Sequence, residues 1–210
     1  GNAYGQLGDG TTTQRLTPAA VSGLTNVIAI TAGNIHTCAL LNDGTVKCWG
    51  GNAYGQLGDG TTTQRLTPTA VSGLTNVIAI TAGRNHTCAL LSNGTAKCWG
   101  WNASGQLGDG TTTNRTTPTA VINLTNVLAI AAGFEHTCAV LSNGTAKCWG
   151  FNMYGQLGDG TTTDKTTPTA VSGLTNGIAI AAGRNHTCAV LSNGTAKCWG
   201  WNDSGQLGDG

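Results

Sequence analysis

Eight cysteines and four histidines are the side chains in this sequence whose types and spacing could do chemistry. Cys38 and Cys48 recur as Cys88 and Cys98, Cys138 and Cys148, and Cys188 and Cys198, each pair ten residues apart and fifty residues from the next. His36, His86, His136 and His186 precede each first cysteine by two positions. Three kinds of chemistry suit this set: a metal held by His36, Cys38 and Cys48, a redox pair, or one structural disulfide per repeat. Metal centres of this type usually use tighter cysteine spacing and a fourth ligand, and a pair of buried free thiols is a further alternative. Intramolecular disulfides are the expectation, which points to an oxidising compartment, extracellular or at a cell surface.

The histidines have no repeated acid beside them to orient a catalytic base, since Glu135 occurs once. Rings held by hydrogen bonds between repeats are the expected role. The Gly-Gln-Leu-Gly-Asp-Gly segment looks like a phosphate-cradling loop but lacks the Lys-Ser/Thr ending and a following helix, so it reads as turn-forming glycine and aspartate. Asp9, Asp59, Asp109, Asp159 and Asp209 are solitary acids on such turns, whereas calcium needs several oxygen ligands. Asn85, Asn93, Asn102, Asn114 and Asn123 begin glycosylation sequons, which leaves that modification open. No catalytic residue, metal or cofactor is expected.

The element that must position the cysteines is the stretch His36 to Gly50. Two short apolar runs flank Asn42-Asp43-Gly44, a β-hairpin signature. With Gly44 in the left-handed conformation, Leu41 pairs with Thr45 and Cys38 falls opposite Cys48 at a non-hydrogen-bonded site, where opposed side chains come closest. One face of the hairpin then shows His36, Cys38, Leu40, Val46 and Cys48, and the other Thr37, Ala39, Leu41, Lys47 and Trp49. Both faces are largely apolar, so each sheet is expected to lie between two others. The run Val27 to Ala32 is apolar on both sides as well, and its alanines and the following Gly33 suit a crowded innermost position.

Self-similarity sets the organisation: residues 1–210 form a single array of repeats 1–50, 51–100, 101–150 and 151–200 with a partial repeat 201–210. Each repeat is expected to carry four short strands, at 17–21, 27–32, 36–41 and 45–49, and no window has a helical period. Small sheets stacked at a fixed period describe an all-β fold, a β-propeller whose blades have four antiparallel strands. The outer strand at 17–21 has no blade of its own, while the array ends without one, so the ends are complementary. Four blades are few, and the chain starts at Gly1 within a repeat; an excerpt of a larger array is therefore the expectation, with half of an eight-bladed dimer or a unit of an open assembly as the alternatives.

Charged residues make up 9% of the sequence, the formal net charge is +1, and there is no run of lysine or arginine. No nucleic-acid partner and no membrane insertion are expected. The pattern Ala32-Gly33-x-x-His36, Ala39-Leu40, Gly44-Thr45-Val46, Trp49-Gly50-x-Asn52, Gly55-Gln56-Leu57-Gly58 and Pro68 resembles the regulator of chromosome condensation repeat, four times over. The resemblance implies a propeller, usually of seven blades. The founder of that family exchanges guanine nucleotide on a small GTPase through an inserted wedge and holds chromatin with a basic tail; the constant period here has neither. The paired cysteines look more like secreted bacterial members.

The repeats are so alike that their differences stand out. One set of positions reads Asn34, Arg84, Phe134, Arg184, followed by Ile35, Asn85, Glu135, Asn185. A second reads Gly1, Gly51, Trp101, Phe151, Trp201, near Ala53, Met153 and Asp203. In an up-and-down blade the loops after the first and third strands emerge at one end, so both sets are expected on one rim. Arginine and aromatic residues over a rigid scaffold suit a protein-binding surface, with drift at exposed loop tips as the alternative. The expected function is a non-catalytic extracellular protein-binding or scaffold module, alternatively a structural protein that associates with itself in a surface or filamentous array. Nucleotide exchange and inhibition of a secreted enzyme rank below both.

Overall fold

The computed structural model describes residues 1–210, which contain 15 strands and no helix. The first sheet holds β1 (Val27–Ala32), β2 (His36–Leu41), β3 (Val46–Gly50) and β4 (Arg65–Ala70), hydrogen-bonded in that order. The second holds β5 (Val77–Ala82), β6 (His86–Leu91), β7 (Ala96–Gly100) and β8 (Arg115–Ala120), and the third β9 (Val127–Ala132), β10 (His136–Leu141), β11 (Ala146–Gly150) and β12 (Lys165–Ala170). The last has three strands, β13 (Gly177–Ala182), β14 (His186–Leu191) and β15 (Ala196–Gly200). All pairings are antiparallel, as expected of propeller blades.

Local chemistry explains the central hairpin of each blade. Leu41 N–H donates to Thr45 O at 2.9 Å and Gly44 N–H to Leu41 O at 3.0 Å, with Gly44 at φ 77°. The Asp43 carboxylate accepts from Thr45 N–H at 2.9 Å and from its hydroxyl at 2.6 Å, an Asx turn that closes the loop. The register that follows sets Cys38 opposite Cys48, with Cα atoms 4.1 Å apart. A register shift lies between Val27 and Ala29 in the β1–β2 pair and another between Cys48 and Gly50 in the β3–β4 pair.

The core lies between blades. Cys38, Leu40, Val46 and Cys48 of the first blade pack on Ala89 and Trp99 of the second, with Leu57, Val71 and Leu74 wedged between them. The next two interfaces repeat this arrangement. Trp49, Trp99 and Trp149 are fully buried, as is Leu57, the leucine of the Gly-Gln-Leu-Gly loop.

Two expectations about strands are corrected. Residues 17–21 form no strand, because the outer strand of a blade comes from the following repeat and residues 15–20 have no sheet edge to pair with. The last blade has three strands and no outer one, as the order of strands along the sequence leads one to expect. The third strand of each blade also starts one residue later than expected, at Val46 in the first.

Candidate functional site

The four cysteine pairs are joined within their own hairpins: Cys38 to Cys48, Cys88 to Cys98, Cys138 to Cys148 and Cys188 to Cys198. With Cys38 and Cys48 bonded to each other, no thiolate is left beside His36 to hold a metal. The histidine instead bridges blades. His36 Nε2 lies 2.9 Å from Thr87 Oγ1, and the Thr87 hydroxyl donates to Gln56 O at 2.8 Å, so the imidazole carries its proton on Nε2. His86 meets Thr137 and His136 meets Thr187 in the same way, each at 3.0 Å.

Burial pushes the His36 imidazole down to about 4. Burial, followed by the charges of His36 and His136, takes His86 down to about 3, and burial with His186 does the same to His136. These rings are neutral at pH 7 and enclosed, which suits a structural role. Gly83 has no side chain because its neighbours leave no room: a Cβ there would meet Gly133 O and His86 Cε1 at 2.3 Å.

The Gly-Gln-Leu-Gly-Asp-Gly loop is likewise used internally. Trp99 Nε1 donates to Gln56 O at 3.0 Å, and Asn52 Oδ1 accepts from Leu57 N–H. Asp59 accepts from Thr61 and is capped by Arg65 Nε at 2.8 Å; burial pushes its carboxyl up, and these hydrogen bonds outweigh it and hold it below the usual range. Arg15, Arg115 and Lys165 cap Asp9, Asp109 and Asp159 similarly. A guanidinium or ammonium thus stands where a calcium ion would have to sit. Among the sequons, Asn85 and Asn102 are buried, whereas Asn93 and Asn123 are exposed.

What remains is the rim, where the two variable sets meet. The loop after β1 and the loop after β3 are tied by backbone bonds, Gly51 N–H to Ile35 O, Trp101 N–H to Asn85 O, Phe151 N–H to Glu135 O and Trp201 N–H to Asn185 O. Their residues are matched in size. A Cβ on Gly51 would lie 2.6 Å from Ile35 Cδ1, so the large side chain sits on the first loop in the first repeat and on the second loop in later ones. Arg84 Cζ lies 4.7 Å from the Phe134 ring centroid and 5.7 Å from that of Trp101, and Arg184 Cζ lies 4.8 Å from the Phe134 centroid. Cation–π attraction lines these side chains up. Arg84 Nη1 also pairs with Glu135 Oε1 at 2.8 Å, while Arg184 is exposed and makes no ion pair.

The row extends outward through Tyr54, 5.8 Å from Trp101, and is echoed by Phe151, Tyr154 and Trp201, with centroids 6.2 and 5.5 Å apart. Asn34 is exposed, and its backbone N–H donates to Arg84 O at 3.3 Å. Tyr54 and Tyr154 are members that the sequence reading missed. The signal was present, since that position varies as Tyr4, Tyr54, Ser104, Tyr154 and Ser204, but the Trp101 and Trp201 rings that Tyr54 and Tyr154 meet lie nearly one repeat away. Met153 stands 61% exposed beside them. A cavity of about 260 Å³ opens where the loops after the innermost strands converge, with Arg84, Phe134 and Arg184 at its mouth.

The chain matches two family models described as the regulator of chromosome condensation (RCC1) repeat, one over residues 1–40, 43–90, 93–140 and 143–190, the other over 27–56, 77–106, 127–156 and 178–206. Among solved structures it resembles Prp20p from Saccharomyces cerevisiae, at 26% identity and a TM-score of 0.82 over 91% of this chain and 50% of that one. It also resembles yeast RCC1 (Prp20) in complex with Kap60, at 27% identity and a TM-score of 0.77, covering 88% and 46%. Human WBSCR16, at 23% identity and a TM-score of 0.83 over 99% and 57%, shares the fold. The chain spans about half the length of these solved relatives. No curated protein sequence matches it significantly.

Proposed function

This chain belongs to the regulator of chromosome condensation (RCC1) repeat family, and from that premise we propose that it is a non-catalytic protein-binding scaffold whose contact surface is the rim built by Trp101, Arg84, Phe134 and Arg184. The observation that carries this reading is the unbroken row from Tyr54 through Trp101, Arg84 and Phe134 to Arg184. Aromatic and arginine side chains supply most of the energy at protein interfaces, and here they are stacked in advance, which lowers the entropy lost on binding. The related yeast protein Prp20 binds Kap60, and its binding to Gsp1p and histones has been studied, so this architecture is one that receives proteins. Four disulfides support an oxidising location, outside the cell or on its surface.

A photo-crosslinking residue placed at Phe134 on the rim, and separately at Asn93 on the hairpin tip of the opposite end, tests the surface. A defined protein adduct from position 134 but not from 93, lost when Arg84, Arg184, Trp101 and Phe151 are changed to alanine in a folded chain, is the expected result. Equal labelling from both ends, or an adduct that survives the alanine changes, would remove the rim from consideration.

A further inference from the structure

Gly51 stands on the rim where later repeats carry Trp101, Phe151 and Trp201. The Trp101 ring packs on Tyr54, with centroids 5.8 Å apart, and lies 5.7 Å from Arg84 Cζ; Trp201 packs on Tyr154 at 5.5 Å. Fifty positions earlier, Tyr54, Arg84 and Trp101 correspond to Tyr4, Asn34 and Gly51. The tyrosine wall of the equivalent site is therefore present in the first repeat, and the indole that lies against it elsewhere is replaced by a hydrogen atom. Tyr4 is 46% exposed, against 38% for Tyr54 and 41% for Tyr154, so its exposure is that of the interior repeats.

A cavity of about 170 Å³ opens at this place, lined by Tyr4, Ile35 and Gly51 together with Asn52, Thr62 and Gln64. Ile35 takes part of the room an indole uses one blade further on, since a Cβ on Gly51 would lie 2.6 Å from its Cδ1. A second difference lies in the cavity wall. Asn102 N–H donates to Asn114 Oδ1 at 2.9 Å, and Asn152 N–H donates to Asp164 Oδ1 at 2.8 Å. In the first repeat Gln64 takes that position, its side chain one methylene longer than that of asparagine, and the Asn52 N–H has no protein acceptor. One site thus lacks both an aromatic ring and a carbonyl oxygen that its counterpart around Trp101 possesses.

We infer that this cavity receives an aromatic side chain of a partner protein, an indole above all, packed on Tyr4 as Trp101 packs on Tyr54. The occupant is specified by the chain itself, which fills the equivalent places beside Tyr54 and Tyr154 with its own indoles. Stacked or tilted aromatic pairs gain attraction beyond the area they bury. The cavity is smaller than the several hundred Å³ typical of small-molecule sites. None of its lining residues is charged, so nothing there balances the ammonium and carboxylate of a free amino acid. A residue inside a polypeptide carries neither charge, and its main-chain carbonyl finds a donor in the Asn52 N–H. That the occupant belongs to a protein rests on the reading of the rim given above; the preference of the cavity for an aromatic group does not.

Titration of the nitrogen-15-labelled chain with N-acetyl-L-tryptophanamide, followed by NMR, tests the site. Saturable shifts of the Gly51, Asn52 and Ala53 amides are expected, with N-acetyl-L-leucinamide binding about tenfold more weakly. Equal binding of the two probes, or shifts confined to other residues, would overturn the inference. Two variants borrow residues that other repeats already carry. Tyr4→Ser, after Ser104 and Ser204, removes the aromatic wall and is expected to weaken binding about tenfold. Ile35→Asn combined with Gly51→Trp rebuilds the arrangement of Asn85 and Trp101 and is expected to abolish it. Circular dichroism verifies folding, and Tyr4→Ser, at an exposed position, keeps the test decisive should the double variant fail to fold. Undiminished binding in a folded variant of either kind would refute the assignment.

A photo-crosslinking residue at the exposed Ala53 addresses the partner. A protein adduct that Tyr4→Ser diminishes is the expected result. An adduct from position 134 with none from position 53 would leave the rim standing and overturn this inference. Saturable binding of the tryptophanamide without an adduct at 53 would overturn a partner protein as the source of the aromatic group.

Discussion

His36 and Thr87, fifty-one positions apart, meet at 2.9 Å inside the molecule and join the first blade to the second. Because Thr87 gives its own proton to Gln56 O, its hydroxyl is left to accept from the imidazole. The same two-step chain recurs at the next two junctions. Thr87→Val removes the acceptor while keeping the shape, and leaves the buried imidazole N–H without its partner and the Gln56 carbonyl with the Trp99 indole N–H alone. The expected cost is about 1–3 kcal/mol in thermal or denaturant unfolding, with Thr87→Ser retaining most of the stability. Equal stability of the valine variant would contradict the bond.

The buried histidines also give stability a pH dependence of definite sign. An unfolded histidine binds its proton near 6.5, whereas His36 does so at about 4 and His86 and His136 at about 3 in the folded chain. Between these values the unfolded state binds more protons, so stability rises with pH. The contribution is complete above 6.5 and is lost as pH falls toward 4 and then 3. Asp9, whose carboxyl is held at about 2 by the Thr11 hydroxyl and then Arg15, adds a further loss below its ordinary 3.8. Urea midpoints measured from pH 7.5 to 3 should fall throughout the lower window, and a flat profile between 6.5 and 4 would count against enclosed neutral rings.

Reductant should distinguish the four disulfides by their cover. Cys38, Cys48, Cys88, Cys98, Cys138 and Cys148 are 0% exposed, whereas Cys188 and Cys198 lie on the uncovered face of the last blade. Graded reduction followed by thiol alkylation and peptide mapping is expected to label Cys188 and Cys198 first. Replacing Cys88 and Cys98 together by alanine should cost about 2.5 to 3 kcal/mol in the chain-entropy account, because the loop is short. Labelling of the first blade before the last would reverse the order of burial.

Much of this was legible in the sequence because it is local. Asn42-Asp43-Gly44 dictates the hairpin, the hairpin dictates the register, and the register sets Cys38 against Cys48. The rim was legible for a different reason: near-identical repeats act as their own alignment, and the positions that vary, Arg84 with Phe134 and Trp101, turn out to touch. Residues 15–20 show the limit. They match Arg65–Ala70 at five of six positions and yet one segment is a strand and the other is not, since strand identity depends on a neighbour the segment does not contain. Tyr54 was missed because the Trp101 ring it meets lies nearly one repeat further along the chain.

Close approach at the centre yields one more expectation. Gly83→Ala would bring a methyl group to 2.3 Å from both a backbone oxygen and the imidazole of His86, and a packed interior relieves such a clash only by shifting strands. A loss of about 1–3 kcal/mol is expected in denaturant unfolding. Gly1→Ala, where a Cβ meets nothing, should be silent.

Each disulfide closes over ten residues inside a single hairpin. Eight thiols admit roughly a hundred pairings, and near-identical surroundings would make many of them look alike to an oxidant. Local closure removes that ambiguity, since a hairpin can oxidise as soon as it has formed, before the next one exists. It also frees the gene: recombination can add or delete whole fifty-residue units without stranding a thiol, so the number of repeats can change over evolution while the oxidation chemistry of every unit stays the same.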